Sequence, residues 1–188
     1  MTPFFTNADG IVPGEGCALF LFETEETMKA NGRTPLVEII GTASGFDSSL
    51  AQNASSDGET AAYVLSEVCK DAGISAQDIG FIASSASGNR LTDSVEAAAI
   101  AKVFGKDVPV TAYKKFTGEC YGASGSLNLA CAISDLKNKT ISGIGESYSC
   151  FNSIPLVFSQ VQKDSRFCIV NSVSCDGNCS AVLLKNVE

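Results

Sequence analysis

A short apolar strand that runs through a polar turn into an apolar helix sets the fold class of this chain. The stretch is Val110 to Asn128, VTAYKKFTGECYGASGSLN. Val110–Ala112 reads as a buried strand, Lys114 and Lys115 as its turn, and Ser124 to Leu136 as a helix apolar nearly all round. A strand feeding such a turn and helix puts side chains and backbone N–H groups at the mouth of an α/β sheet.

The same alternation of strand and helix runs along the rest of the sequence. Gly16–Phe22 (GCALFLF) reads as a short buried strand, Glu23–Asn31 as a charged helix, and Leu36–Phe46 as a long strand. Gly41 and Gly45 in that strand mark a bulge or a close backbone approach. After a polar loop over Ala51–Asp57, Ser56 and Glu59 have capping-box spacing. Ala61, Val64, Leu65, Val68, Cys69 and Ala72 then form one helical stripe. A strand at Gly80–Ala83, a polar loop at Ser84–Arg90 and a helix beginning near Asp93 follow. Asn138–Ser165 reads as irregular, and Phe167–Val173 with Ser180–Lys185 as two strands joined by a turn at Gly177. The expectation is a single α/β domain over residues 1–188 with a mixed sheet.

Charge and residue usage exclude several functions. The net charge is −8 with no basic run, which argues against nucleic acid or an anionic membrane as partner. No apolar run reaches the roughly 20 residues of a membrane helix. Met1–Gly10 has neither a positive nor an apolar leader region, so the expected compartment is the reducing cytoplasm. The 8 cysteines include no CxxC, which argues against a zinc site, and inert buried thiols are the expected role. There are 0 histidines, so no Ser–His, Cys–His or His–metal constellation can be assembled from this chain.

Five stretches, in order, resemble one family. PFFTNADGIVPGEG from Pro3 is similar to the motif that opens the second half of β-ketoacyl synthases, condensing enzymes of the thiolase fold. DAGISAQDIGFI (Asp71–Ile82) and LTDSVEAAAIAKVFG (Leu91–Gly105) resemble the segments before and after their first catalytic histidine. VPVTAYKKFTGECYGASG (Val108–Gly125) resembles the region of the second. NSVSCDGNCSAVLLK (Asn171–Lys185) resembles the C-terminal glycine-rich turn and last strand, altered at Ser174, Cys175, Asp176 and Cys179. The resemblance implies one thiolase-like half: a layered, mixed five-stranded sheet with helices on both faces.

The departures from the family carry as much information. The first histidine position falls on Ser85 and the second on Glu119, while Lys114, Asp93 and Glu96 match retained family positions. The family's nucleophilic cysteine belongs to a first half that this sequence does not contain. Decarboxylative condensation needs a reactive thiolate and donors for the developing anion. A serine donates one neutral hydrogen bond, and an ionised glutamate repels negative charge. The wording around Val108–Tyr121 resembles the chain-length factor, the non-catalytic β subunit of type II polyketide synthases. That resemblance implies a ketosynthase subunit as partner, an acyl carrier protein that brings the phosphopantetheine, and no cofactor of the chain's own. Two alternatives stand beside it: the C-terminal lobe of a split ketosynthase whose N-terminal lobe is encoded separately, and a repurposed thiolase-like binding module.

Individual residues keep two readings. Ser85, Ser87 and Asn89 either line a channel for a phosphopantetheine arm, as the resemblance implies, or form an ordinary loop. Lys114 is expected to hold turn geometry from a buried position, and Lys115 to be solvated. Glu119 is either paired with one of these lysines or partly exposed. Cys120 has no histidine base, so an inert thiol is expected.

Overall fold

The computed structural model describes residues 1–54 and 56–187. Its centre is a five-stranded sheet in the order β1-β7-β6-β2-β3. The strands are β1 (Val37–Phe46), β2 (Phe81–Ala83), β3 (Val110–Thr111), β6 (Phe167–Val173) and β7 (Asn178–Asn186). β1, β7 and β6 pair antiparallel, whereas β6, β2 and β3 run parallel. A separate two-stranded pair joins β4 (Thr140–Ile141) to β5 (Val161–Gln162). The helices are α1 (Glu25–Ala30), α2 (Ser48–Ala51), α3 (Glu59–Asp71), α4 (Arg90–Phe104), α5 (Lys114–Thr117) and α6 (Ser124–Asn138).

The period-2 alternation of the strands divides the core in two. Ile82, Ile169 and Leu183 face the stripe of α3 (Val64, Leu65, Val68) and Val95 and Ile100 of α4. Phe81, Ala83, Cys168, Val170 and Leu184 point the other way, toward Ala132, Ile133 and Leu136 of α6. The expected mixed sheet with helices on both faces is therefore present. The glycine signals in β1 have a physical cause. A Cβ on Gly41 would lie 2.6 Å from the Val68 carbonyl oxygen, and the β1–β7 register shifts between Ile39 and Gly41.

Several expectations are corrected. Gly16–Phe22 is not a buried strand: it has no strand partner among the described residues, and Leu19 is 91% exposed. Its apolar run says that it prefers a partner, not that one lies in this chain. Ser56 and Glu59 form no capping box. Gly58 (φ 77°) stands at the N-cap of α3, and Ser56 instead donates to Asp47 Oδ2 at 2.5 Å. In the polar loop over 51–57, Ala51 closes α2 and Ser55 lies outside the described residues. The region 138–165 holds β4 and β5, and Leu156 bridges to Val110. Strands of two residues are too short to leave a periodic signal. Helix α6, expected to be apolar nearly all round, also buries two polar side chains, Asn128 and Asp135. Lys115 is not a solvated turn residue, since its ammonium donates to the Met1 carbonyl at 2.9 Å.

Candidate functional site

The three parallel strands β2, β3 and β6 end at one edge of the sheet, where α/β folds collect their functional groups. Each strand delivers residues there. β2 leads into Ser84 and Ser85, β3 into Tyr113 and Lys114, and β6 contributes Asn171 and Val173. Helix α6 is tied to the same edge, because Asn128 Nδ2 donates to the carbonyls of Ala83 (3.3 Å) and Ser84 (3.1 Å).

The loop after β2, read either as a channel lining or as an ordinary polar loop, is buried at Ser84, Ser85, Ala86 and Ser87. A buried loop must satisfy its backbone donors, and two carboxylates of α4 do so. Glu96, 1% exposed, accepts from Ser85 N (2.9 Å), Ser85 Oγ (3.0 Å) and Asn171 Nδ2 (2.7 Å). Ser85 Oγ in turn accepts from Val173 N at 2.9 Å. Asp93, 0% exposed, accepts from Ser87 N (3.0 Å), Gly88 N (2.9 Å) and Phe4 N (2.8 Å). Burial pushes the Asp93 carboxyl up to about 7 against those three backbone donors. Burial also raises Glu96, opposed by Ser85, by Asn171 and by the charge of Lys114.

The second half of the site is an ion pair. Lys114 Nζ lies 2.7 Å from Glu119 Oε2, and their side chains are only 12% and 13% exposed. Glu119 Oε1 accepts from Ser124 Oγ (2.5 Å) and Tyr121 N (3.0 Å). Burial raises the Glu119 pKa, but the Lys114 and Ser124 bonds outweigh it and the net shift is downward. Of the two readings of Glu119, the paired one holds, and the partner is Lys114. The opening motif supports this turn from outside. Gly14 N donates to the Glu119 carbonyl at 3.0 Å and Glu119 N to that of Val12 at 2.8 Å. A Cβ on Gly14 would sit 2.0 Å from the Thr117 oxygen, so the backbones can approach only because Gly14 has no side chain.

The fold thus gathers Ser85, Glu96, Lys114 and Glu119 into one region. Asp93 serves the neighbouring turn and the Phe4 backbone. Asn89 caps α4, its Oδ1 accepting from Leu91 N (3.1 Å) and Thr92 N (3.5 Å). Cys120 is buried, and its Sγ lies 3.4 Å from the Thr117 carbonyl oxygen. Sequence reasoning missed Asn171, Asn128 and Asp135. Asp135 accepts from Tyr113 OH (2.7 Å), Thr140 Oγ1 (3.1 Å), Ser142 N (2.7 Å) and Ser142 Oγ (2.9 Å). A lone aspartate in an apolar helix was the available signal. Among the described residues no cluster of three or more His, Cys, Asp or Glu residues can hold a metal ion.

Residues 36–145 match the family described as beta-ketoacyl synthase, C-terminal domain. The tetracenomycin polyketide synthase ketoacyl synthase alpha subunit of Streptomyces glaucescens is 33% identical over 135 residues, which are 70% of this chain and 32% of that protein. In fold, the chain is similar to a solved ishigamide ketosynthase/chain length factor, with TM-score 0.89 and 24% identity over 99% of this chain and 47% of that one. It is also similar to a chain in a solved type II polyketide acyl-carrier protein–ketosynthase complex, with TM-score 0.86, 22% identity, and coverage of 99% and 47%. The chain spans about a third to a half of the length of these proteins.

Proposed function

The chain belongs to the β-ketoacyl synthase family, and from that premise we propose that it is a non-catalytic, chain-length-factor-like subunit. In this reading the whole of residues 1–188 acts as one thiolase-like unit. It pairs with a ketosynthase subunit in the cytoplasm and supports polyketide chain elongation on an acyl carrier protein.

One observation carries the reading. The two positions that the resemblance sets against the family's histidines, Ser85 and Glu119, hold side chains already committed to partners within the chain. Ser85 donates to Glu96 and accepts from Val173 N. Glu119 is locked to Lys114, Ser124 and Tyr121 N. Stabilising an enolate requires donors aimed at the developing charge. The Glu119 carboxylate brings negative charge instead, and it engages the Lys114 ammonium. Likeness in fold to a ketosynthase/chain length factor and to a chain in a carrier-protein complex is in keeping with the proposed partners.

The test is release of carbon dioxide from malonyl-loaded carrier protein. The purified chain should give none above a heat-killed control, whereas the chain together with its ketosynthase should support elongation. Decarboxylation by the pure chain would sink the non-catalytic reading. The split-enzyme reading rests on the chain's span of 47% of its structural neighbours. Activity that appears only on adding a separate lobe with a nucleophilic cysteine would favour it.

A further inference from the structure

Residues Met1–Gly14 form a strap across the site, and the strap is tied down at separate points. At one end the Lys115 ammonium donates to Met1 O (2.9 Å) and Tyr148 OH donates to Pro3 O (2.9 Å). In the middle Phe4 N donates to Asp93 Oδ2 (2.8 Å) and Thr6 N to Ser149 O (3.2 Å). At the far end Val12 and Gly14 hold the backbone of Glu119. Gly10 lies against Gly88, where an added Cβ would meet the Gly10 oxygen at 2.6 Å. The strap thus runs from the turn after Ser85 to the turn of Glu119. Its strand pairing is confined to isolated bridges, Phe5 with Cys150 and Pro13 with Glu119. Pro3, Phe4 and Ala8 are buried, whereas residues 9–15 are exposed. Phe4 is held at φ 60°, a left-handed conformation that costs a bulky residue free energy. Few buried contacts and a strained residue put such a segment at the low end of local stability.

Beneath the strap, acids outnumber bases. Asp93 and Glu96 stand one helical turn apart on α4, both buried, and Glu119 is a third carboxylate close by. Lys114 is the ammonium that faces them. It lies 2.7 Å from Glu119 Oε2, and its charge also reaches Glu96. The surroundings of Asp93 itself supply dipoles and no counter-ion. The loop after β2 offers Ser87 N and Gly88 N, and the strap offers Phe4 N. Helix α4 adds Glu96, whose charge opposes ionisation of Asp93. The segment before Phe151 adds Tyr148, a phenol that burial keeps protonated, and the Cys150 thiol beside it. Arg90, one turn back on α4, is exposed, and among the described residues no ion pair joins it to Asp93. Buried like charges without counter-ions do not all ionise.

We propose that Asp93 is a proton-operated latch: while its carboxyl keeps the proton, Met1–Gly14 lies closed over the sheet edge, and loss of the proton lifts the strap. The step breaks the O–H bond of the carboxyl, leaves its electron pair on the carboxylate and passes the proton to solvent. Lifting exchanges the Phe4 N–H bond for water, hydrates the new charge and relieves the strain at Phe4. The sign follows from burial. Closure raises the Asp93 pKa from 3.8 to about 7, so closure is fully favoured below the lower value and is lost as pH rises toward the upper one. An open strap also releases Val12 and Gly14 from the Glu119 backbone, which uncovers the edge that carries Ser85 and Glu119. The latch sets access to that edge whether or not the chain is catalytic.

The experiment is hydrogen exchange of the full chain across the weakly acidic and neutral range, read by mass spectrometry at single amides and corrected for intrinsic rates. The amides of Phe4 and Thr6 report the strap, and that of Ile82, which donates to Pro109 O at 2.9 Å, reports the sheet. Protection of the strap should lie below that of Ile82 at every pH. It should fall by about tenfold per pH unit up to neutrality and then level off. Asp93→Asn, which has no proton to lose in this range, should flatten the profile. Glu96→Gln keeps an acceptor for Ser85 N and Asn171 Nδ2 and should retain the fall. Strap protection that does not change with pH in the wild type overturns the proposal. So does a strap that exchanges together with Ile82, because it then has no opening of its own. A fall that survives Asp93→Asn and vanishes in Glu96→Gln assigns the proton to the other carboxylate and overturns the latch at Asp93. The wild-type comparison of strap with sheet decides the matter even where a variant fails to fold.

Discussion

Removing Glu119 should destabilise the fold far more than removing Glu119 and Lys114 together. With Glu119→Leu alone, the Lys114 ammonium stays in a site where its side chain was only 12% exposed, and its ion-pair partner is gone. Breaking a buried pair from one side costs about 3–5 kcal/mol. The slight exposure of both side chains lets water compensate in part, so about 2–4 kcal/mol is expected here. At this chain length each kcal/mol lowers the melting temperature by about 2–4 °C. Adding Lys114→Met removes the stranded charge. The groups still missing Glu119 are Ser124 Oγ, which can rotate, and Tyr121 N, on an exposed residue that water can reach. The double variant should therefore lose only about 1 kcal/mol. Urea midpoints of wild type, both single variants and the double variant give the coupling, best measured in a background carrying Leu19→Lys and Leu21→Lys to keep the chain in solution. The pH dependence has a definite sign. The Glu119 pKa is lowered on folding, so the pair's contribution is complete above the ordinary carboxylate value and is lost as pH falls through the lowered one. Wild type and Glu119→Leu should converge in acid. A coupling energy below about 0.5 kcal/mol, or a difference that persists in acid, would refute the argument.

Three further outcomes are expected. Ser85→His with Glu119→His restores histidines without supplying a nucleophile, so it should give no condensation; product formed by that variant alone would point to a thiolate in this chain, Cys120 first. Burial holds Asp93 up to about 7 from its ordinary 3.8, so the unfolded chain releases this proton first and the residue's contribution to stability declines as pH rises between those values. Asp93→Asn should cost about 1–3 kcal/mol by turning an amide donor toward a backbone N–H, and urea midpoints at several pH values should fall less steeply than in wild type; a steeper fall counts against the argument. Gly41→Ala should cost about 1–3 kcal/mol, because its Cβ would lie 2.6 Å from the Val68 carbonyl oxygen, whereas Gly122→Ala meets nothing within 4 Å and should change the melting temperature little.

What could be read in the sequence followed the range of the forces involved. The stripe of α3, the long strand β1 and the β6–β7 hairpin were legible because each buries a periodic face against something this chain supplies. Gly16–Phe22 has the same kind of signal and was misread, since an apolar run records the preference of a segment and not the whereabouts of its partner. The site divided in a similar way. Lys114 and Glu119 lie five residues apart, and their pairing was one of two open readings. The carboxylates of α4 were singled out through the family resemblance, but no spacing could reveal that they hold the buried loop at Ser85–Gly88 by its backbone. Asn171 reaches Glu96 across 75 residues of sequence, a contact that exists only once β6 lies beside β2.

The Lys114–Glu119 pair also has an evolutionary consequence. A mutational path that dismantles the pair must change the glutamate first, the lysine first, or both at once. Each single step strands a charge among groups arranged for its counterpart, at a cost of about 2–4 kcal/mol. Natural domains hold only about 5–15 kcal/mol in reserve, so such intermediates approach the threshold at which selection removes them. The ion pair is therefore a ratchet: once in place, it guards both of its members against replacement by stability alone, with no selection on any reaction.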